Sequence, residues 1–293
     1  MRPTRFAYVQ PESVEDAVAC LRTHGPDARV LAGGQSLLPL LNRRLLRPAA
    51  LVDLRRLTGL RKVRQDGSGL RIGALTTHHD LETPQGPAAH PDWAVLAQTA
   101  RLVGHLPIRT RGTVGGSLAH GDPVAEWCLL AVLLDAEITA TGPDGSRTIT
   151  ADRFFTGATN GPRTALRWDE IITEVLFPAP APTSALVEFS PQDKELPLVA
   201  AAAEVRLAAD GTVAAVRLAL AGAADRPVRA RAAERALVGR PADTALPEAA
   251  ASLVVRSLTP PDDARASSGY RRELATVLTT RALRASLRKA DPR

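Results

Sequence analysis

Two glycine pairs constrain this chain more than any other feature. One lies in VLAGGQSLLPLLNRR, residues 30–44, and the other in IRTRGTVGGSLAHGDPVAEW, residues 108–127. Arg29, Val30, Leu31 and Ala32 lead into Gly33–Gly34, and Thr113 and Val114 lead into Gly115–Gly116. Small polar residues follow, Gln35 and Ser36 in the first case and Ser117 in the second. An apolar, helix-like run then opens at Leu37; in the second stretch it opens at Trp127, after Asp122, Pro123 and Glu126. Adjacent glycines let backbone approach backbone, or let a ligand rest directly on N–H groups. A turn whose N–H groups converge forms an anion nest suited to a phosphate. An acidic residue just beyond can accept hydrogen bonds from sugar-type hydroxyls. Two such turns can grip one diphosphate from two sides. Neither matches GxGxxG or GxxxxGK[ST], so Rossmann and P-loop readings have no support. A plainer reading stands beside this one: Asp122 caps the helix after Pro123, and Glu126 is a first-turn helix charge.

The 293 residues allow two domains or one large one. A hydrophobic content of 45% with 23% charge is that of a soluble globular chain. Aromatics are only 3%, so the core has to be built from Ala, Leu and Val. The net charge is +6, but the positive residues are scattered and never interleaved with aromatics, which excludes a nucleic-acid partner as the expected one. Cys20 and Cys128 are the two cysteines, and no CxxC occurs. No thiolate-held zinc or iron–sulfur cluster is therefore expected in this chain, nor a disulfide framework, and a reducing, cytoplasmic setting is the default. His78, His79 and His120 are not at metal-ligand spacing. The start, MRPTRFAYVQ, has no apolar signal core, and the run Cys128–Leu134 is too short to cross a bilayer.

Taken in order, Phe6, Tyr8 and Val9 alternate as a strand. Ser13 is a helix N-cap before Val14, Ala17, Val18 and Leu21, and His24-Gly25-Pro26 stops that helix. Residues 29–32 form a strand, 37–46 a helix with Pro39 in its first turn, and 50–53 a strand. This order predicts a small parallel sheet with helices against it. From Leu60 the pattern becomes mixed. Hairpins are expected at 62–72 and 137–150, helices at 93–102 and after Thr76 or Thr77, and a strand at 169–177. Pro178-Ala-Pro-Ala-Pro182 is a stiff linker that cannot join a central sheet. Beyond it come strands at 198–207 and 213–220, then helices at 229–238, 247–258 and 270–287.

At this point the chain resembles a known family. LAGGQSLLPLL and RGTVGGSLAHGDPVAE, with LVDLRRLTGL, LRIGALTTHHDLE, VRLALAGAADRPVRARAAERALVG and YRRELATVLTTRAL, are similar to the FAD-binding medium subunits of the molybdenum hydroxylases, the carbon monoxide dehydrogenase and xanthine dehydrogenase group. The resemblance covers nearly the whole chain. It implies an α+β fold: a two-lobed FAD-binding domain over residues 1–177, then a C-terminal α+β domain over 178–293 with a three-stranded antiparallel sheet and helices. The lobes are a small α/β lobe, about 1–57, and a larger, mainly antiparallel one, 58–177. By resemblance, Leu31, Ala32, Gly33, Gly34, Gln35, Ser36 and Leu37, with Thr113, Val114, Gly115, Gly116 and Ser117, bind the FAD diphosphate through backbone N–H groups and short side chains. Glu126, with Asp122 nearby, holds the ribityl hydroxyls. Ile171 and Ile172 pass the flavin or adenine, and Arg29 lies near the adenosine.

Three departures matter. Related two-lobed flavin oxidases often carry His at the position of Gln35 and attach FAD through it. An amide is not a nucleophile, so FAD is expected to be noncovalent here. The cysteine-rich insertion of some relatives is missing. The loop EFSPQDKELPLV, from Glu188, lacks the arginine expected after the aromatic residue; Phe189 and Ser190 are its candidates for the flavin face. Arg109 and Arg111 can pair with phosphate, but a solvated or inter-lobe salt bridge is the plainer reading, and Lys194 with Glu195 reads as a solvated pair.

The family implies an oxidoreductase subunit without catalytic residues of its own. Electrons pass from the [2Fe-2S] clusters of a small subunit, fed by a large subunit with the molybdenum cofactor, through FAD to NAD+, a quinone or oxygen. The expected assembly is a heterotrimer, often doubled. The alternatives are a self-sufficient FAD oxidase of the same fold and a scaffold that has lost its cofactor.

Overall fold

The structure, a computed structural model, describes residues 3–157 and 161–291. Its first unit follows the alternation read above: β1 (Ala7–Val9), α1 (Val14–His24), β2 (Ala28–Leu31), α2 (Leu37–Asn42) and β3 (Ala50–Asp53). The strands form an all-parallel sheet in the order β1-β3-β2. Ser13 caps α1 by accepting from the Asp16 N–H, and Gly25, at φ +72, ends it. Ala17, Val18 and Leu21 are the buried face of α1.

Helix α2 stops four residues short of the predicted Leu46. Arg44 adopts φ +57, the Leu45 N–H reaches the Leu40 carbonyl at 3.0 Å, and the Arg44 N–H reaches that of Leu41 at 3.0 Å. This is a Schellman closure with arginine in the left-handed position that glycine usually takes, so the sequence carries no stop signal.

The next unit contains β4 (Val63–Asp66), β5 (Gly69–Gly73), α3 (His78–Glu82), α4 (Ala94–Leu102), α5 (Leu106–Arg109), α6 (Val114–His120), α7 (Glu126–Leu133), β6 (Glu137–Gly142), β7 (Gly145–Thr150), α8 (Ala151–Phe154) and β8 (Ile171–Phe177). Its sheet, in the order β4-β5-β8-β6-β7, is antiparallel throughout. All eight residues of α7 are buried. A helix that is apolar all round must be covered all round, and the following strands supply one of its covers.

After the proline-rich segment come β9 (Ala185–Phe189), β10 (Val199–Leu207), β11 (Val213–Ala221), β12 (Val228–Arg229), α9 (Arg231–Leu237), α10 (Leu246–Val255) and α11 (Ser268–Ala290). The three expected strands are β9, β10 and β11, and two-residue β12 extends the sheet to β12-β11-β10-β9. Along β10 the side chains alternate. Ala200 and Ala202 join the core around α7, whereas Val199, Ala201, Ala203 and Val205 join the core under α11. Alanine on the first face keeps that sheet close to α7. Across this junction the Arg229 guanidinium binds Glu234 at 2.7 Å and Asp135, just after α7, at 2.9 Å.

Candidate cofactor site

The two glycine stretches meet. A Cβ placed on Gly33 would lie 2.0 Å from the Arg111 carbonyl oxygen and 2.8 Å from the Gly112 Cα. Gly33 therefore rests on the backbone that leads into the second stretch, and no side chain fits there. A Cβ on Gly116 would lie 3.8 Å from the Cβ of Ala32 and 2.8 Å from Thr113 Oγ1. The matching contexts seen in the sequence thus face each other in space, although some eighty residues separate them.

The first turn is open. Gly34 is buried at φ +76, a conformation that side chains resist. The Gln35 amide donates to the Gly33 carbonyl at 3.1 Å, which locks the turn. Ser36 is exposed and makes no cap bond. Among the described residues, no acceptor bonds the backbone N–H groups of Gly33, Gly34, Gln35 or Ser36. These donors, beside two glycines with no Cβ in the way, fit the diphosphate of a dinucleotide.

The second stretch differs from the first, because its backbone N–H groups are bonded within the chain. Its glycine pair lies in the first turn of α6. The Val114 N–H donates to the Thr76 carbonyl at 3.0 Å, that of Gly115 to Ala74 at 2.9 Å, and that of Ser117 to Thr113 at 3.0 Å. The Gly116 N–H goes to the capping Thr113 Oγ1 at 3.1 Å. Thr113 also bridges to Thr77, so residues 74–77 take the donors that a phosphate would need. Hydroxyls remain: Thr113 Oγ1 accepts from Gly116 and keeps its own proton to donate, and Ser117 is half-buried.

Asp122 serves its own loop. Its Oδ1 accepts from the Val124 N–H at 3.1 Å, ahead of α7, and its Oδ2 lies 3.7 Å from the Arg163 guanidinium. Glu126, the first residue of α7, is buried at 4% exposure. Burial pushes its carboxyl up to about 7; its own backbone N–H opposes this, Asp122 adds to it, and Lys194 opposes it. Arg29 turns back on the chain, donating to the Pro26 and Ala28 carbonyls at 2.6 and 2.7 Å. Leu31 packs with Leu41 and Leu51, and Leu37 lies against that cluster. Ile171 packs with Leu21, Val52 and Leu75, and Ile172 belongs to the large core. The structure thus brings together 32–36, 113 and 116; it puts Leu31, Ile171 and Ile172 in packing and Arg29 on its own loop.

Other expectations resolve similarly. Arg109 pairs bidentately with Glu82 at 2.9 and 3.1 Å. Arg111 contributes its carbonyl rather than its charge. Lys194 does not pair with Glu195; its Nζ donates to the Arg101 carbonyl at 3.1 Å. His78 is buried and stacked on Trp127 with ring centroids 5.8 Å apart. No cluster of metal-ligating side chains occurs among the described residues.

The comparisons with known proteins fit this geometry. Residues 4–180 match the family described as the FAD binding domain in molybdopterin dehydrogenase, and residues 184–286 match the CO dehydrogenase flavoprotein C-terminal domain. This chain belongs to the FAD-binding medium subunits of the molybdenum hydroxylase family. The carbon monoxide dehydrogenase medium chain of Hydrogenophaga pseudoflava is 34% identical to this medium subunit, over 98% of each chain. The nicotine 6-hydroxylase medium subunit of Paenarthrobacter nicotinovorans is 35% identical, over 97% of this chain and 98% of that one. The solved carbon monoxide dehydrogenase of Hydrogenophaga pseudoflava, in a form lacking the Mo-pyranopterin moiety, superposes with a TM-score of 0.92 at 36% identity, over 99% of each chain. The medium subunit is thus an oxidoreductase component of mixed helix and strand. None of its helices, among the described residues, is long and apolar enough to cross a membrane.

Sequence patterns do not single out Glu188. It lies near the end of β9, and its Oε2 is enclosed without a partner among the described residues. Burial first, then the charge of Glu126, pushes its carboxyl up to about 8, with Lys194 opposing. A glutamate beside an exposed-looking loop gives no such signal in sequence, because the end of α4, which helps to enclose it, arrives by tertiary packing.

Proposed function

We propose that this medium subunit holds FAD noncovalently and places it between the iron–sulfur clusters of a small partner subunit and an external acceptor such as NAD+, a quinone or oxygen. The observation that carries the reading is the contact of the two glycine stretches: Gly33 on the Arg111 carbonyl, and Gly116 opposite Ala32. When bound, the isoalloxazine supplies the one- and two-electron chemistry. The chain's own part is to bind, orient and enclose. The free N–H groups of Gly33–Ser36 hold the diphosphate from one side. The hydroxyls of Thr113 and Ser117 meet it from the other, where Gly116 leaves room. Glu126 and Asp122 take the ribityl hydroxyls. Arg29, Leu31, Leu37, Val114, Gly115, Ile171 and Ile172 shape the walls behind these groups. Gln35 locks its turn as an amide and makes no covalent link.

In this reading residues 1–177 are the FAD-binding domain and 178–293 the C-terminal domain. A large subunit with the molybdenum cofactor oxidises the substrate, so substrate choice lies outside this chain. The assembly is a heterotrimer, doubled in some members, in the reducing cytoplasm.

The test is an absorption spectrum of the chain, co-expressed with its partners and supplied with FAD, before and after acid precipitation. Flavin bands that move to the supernatant are expected. Flavin retained in the pellet would overturn noncovalent binding, and protein without flavin bands would overturn the cofactor reading itself. Gly116→Val should lose flavin retention, because the new side chain fills the space opposite Ala32.

A further inference from the structure

A cleft of about 240 Å3 lies between the end of α4 and the β9–β10 loop, lined by Leu102, Glu188, Ser190, Gln192, Asp193 and Lys194. Its wall is unusual. Glu188 presents a carboxyl whose Oε2 is enclosed and, among the described residues, without a partner. Glu126, whose charge acts on it, is 4% exposed, and no donor beyond its own backbone N–H reaches it among the described residues. The charged groups around the pair are few. Asp122 approaches from the loop before α7, Lys194 and Asp193 come from the β9–β10 loop, and the Lys194 ammonium is already held on the Arg101 carbonyl at 3.1 Å. The Gln98 amide, which is the polar group α4 turns toward β9, is used on the Leu186 carbonyl at 2.8 Å.

Two carboxylates cannot both stay charged in such a place without a neutralising partner. One resolution is a bound cation, but no cluster of metal-ligating groups occurs among the described residues. The other is a retained proton, and a buried carboxylic acid is a hydrogen-bond donor that a carboxylate is not. We propose that Glu188 faces the cleft as an uncharged acid and donates a hydrogen bond to an acceptor atom of the bound flavin, with Glu126 as the neighbouring charge that keeps it protonated. The inference rests on the FAD reading given above. It makes the site one that two parts of the chain complete together: Glu126 from the segment after the second glycine pair, and Glu188 from beyond the proline-rich linker. Burial and the Glu126 charge hold Glu188 up at about 8, so the acid form prevails at neutral pH.

Two measurements on the full chain test it. The first follows the glutamate side-chain carboxyl carbons by NMR in the FAD-free protein. A carboxyl titrating near pH 8 is expected, absent in Glu188→Gln and moved downward in Glu126→Gln. Ordinary titration of all glutamates overturns the retained proton, whatever FAD does. The second is FAD affinity against pH in the parent chain and in Glu188→Gln, whose amide donates at every pH. The parent should lose up to tenfold in affinity per pH unit above about 8, and the variant should stay flat across that range. Parallel profiles overturn the flavin contact. No binding by either protein at any pH overturns the cofactor reading, and the flavin contact with it, while the NMR titration still judges the proton separately.

Discussion

The two glycine pairs look alike in sequence and do opposite things. Gly33–Gly34 sits in an irregular turn between β2 and α2, with Gly34 left-handed and its neighbours' N–H groups without acceptors among the described residues. Gly115–Gly116 is helical, and every N–H from Val114 to Ser117 is bonded within the chain. The difference begins one residue before the helix. Thr113, ahead of α6, caps its helix through its hydroxyl, whereas Ser36, ahead of α2, makes no side-chain cap bond. A glycine pair therefore licenses close approach without saying what approaches: at the first turn it leaves room for a ligand, and at the second it admits residues 74–76 of the same chain.

The comparison is broken most severely at Gly33. A Cβ there meets a backbone carbonyl oxygen at 2.0 Å, and neither side can yield by rotating a side chain. Gly33→Ala is expected to lower stability by about 3 kcal/mol and to drive the two stretches apart. FAD affinity should fall at least tenfold even where the variant still folds, as isothermal titration would register. A variant with parental affinity would show that the contact between the turns is irrelevant to the cofactor.

Acid separates the two turns. Gly112, which leads into the second stretch, lies against the His78 ring, so close that a Cβ on it would be 2.8 Å from Nε2. Burial holds His78 down at about 4, with the charge of Arg109 contributing. The unfolded chain takes up this proton near the ordinary value of about 6.5. The stability that neutral His78 confers is therefore complete above pH 6.5 and is lost as pH falls toward 4, about 3 kcal/mol in all. His78→Phe keeps a ring against Trp127 and should flatten that slope in urea melts between pH 4 and 6.5. Glu126 and Glu188 act with the opposite sign: their raised values make stability fall as pH rises from about 4.5 toward 8. The difference between parent and variant isolates the histidine.

Much of the fold was legible because its signals are local. Ser13 and Gly25 bracket α1, the alternation of β10 sorts its side chains between two cores, and the Asp66-Gly67 turn sets a hairpin. The end of α2 was not legible, because Arg44 takes a left-handed conformation in which glycine would have been the signal. Of the site, the sequence identified the two stretches as a pair, and Gly33 on Arg111 gives that pairing its contact. It did not reveal that the second stretch is closed, since the acceptors on Ala74 and Thr76 lie about forty residues upstream. Glu188 was missed for a related reason. Its neighbours in sequence are loop residues, and those that bury it arrive by tertiary packing, as does the Arg101 carbonyl that takes Lys194 away from Glu195.

The finest test concerns the hydroxyl beside each pair. Thr113 Oγ1 accepts the Gly116 N–H, whereas Ser36, at the start of α2, makes no side-chain cap bond. Thr113→Ala should therefore lower stability by about 1 kcal/mol, and Ser36→Ala by less than about 0.5 kcal/mol. FAD should partly reverse that ranking. The freed Gly116 N–H in Thr113→Ala becomes available to a phosphate, while Ser36→Ala removes a donor from the open turn without supplying another. Paired thermal melts with and without FAD read both effects at once. Equal losses in the two variants without FAD would mean that the first turn is capped in solution after all, and the distinction between an open and a closed turn would then fail.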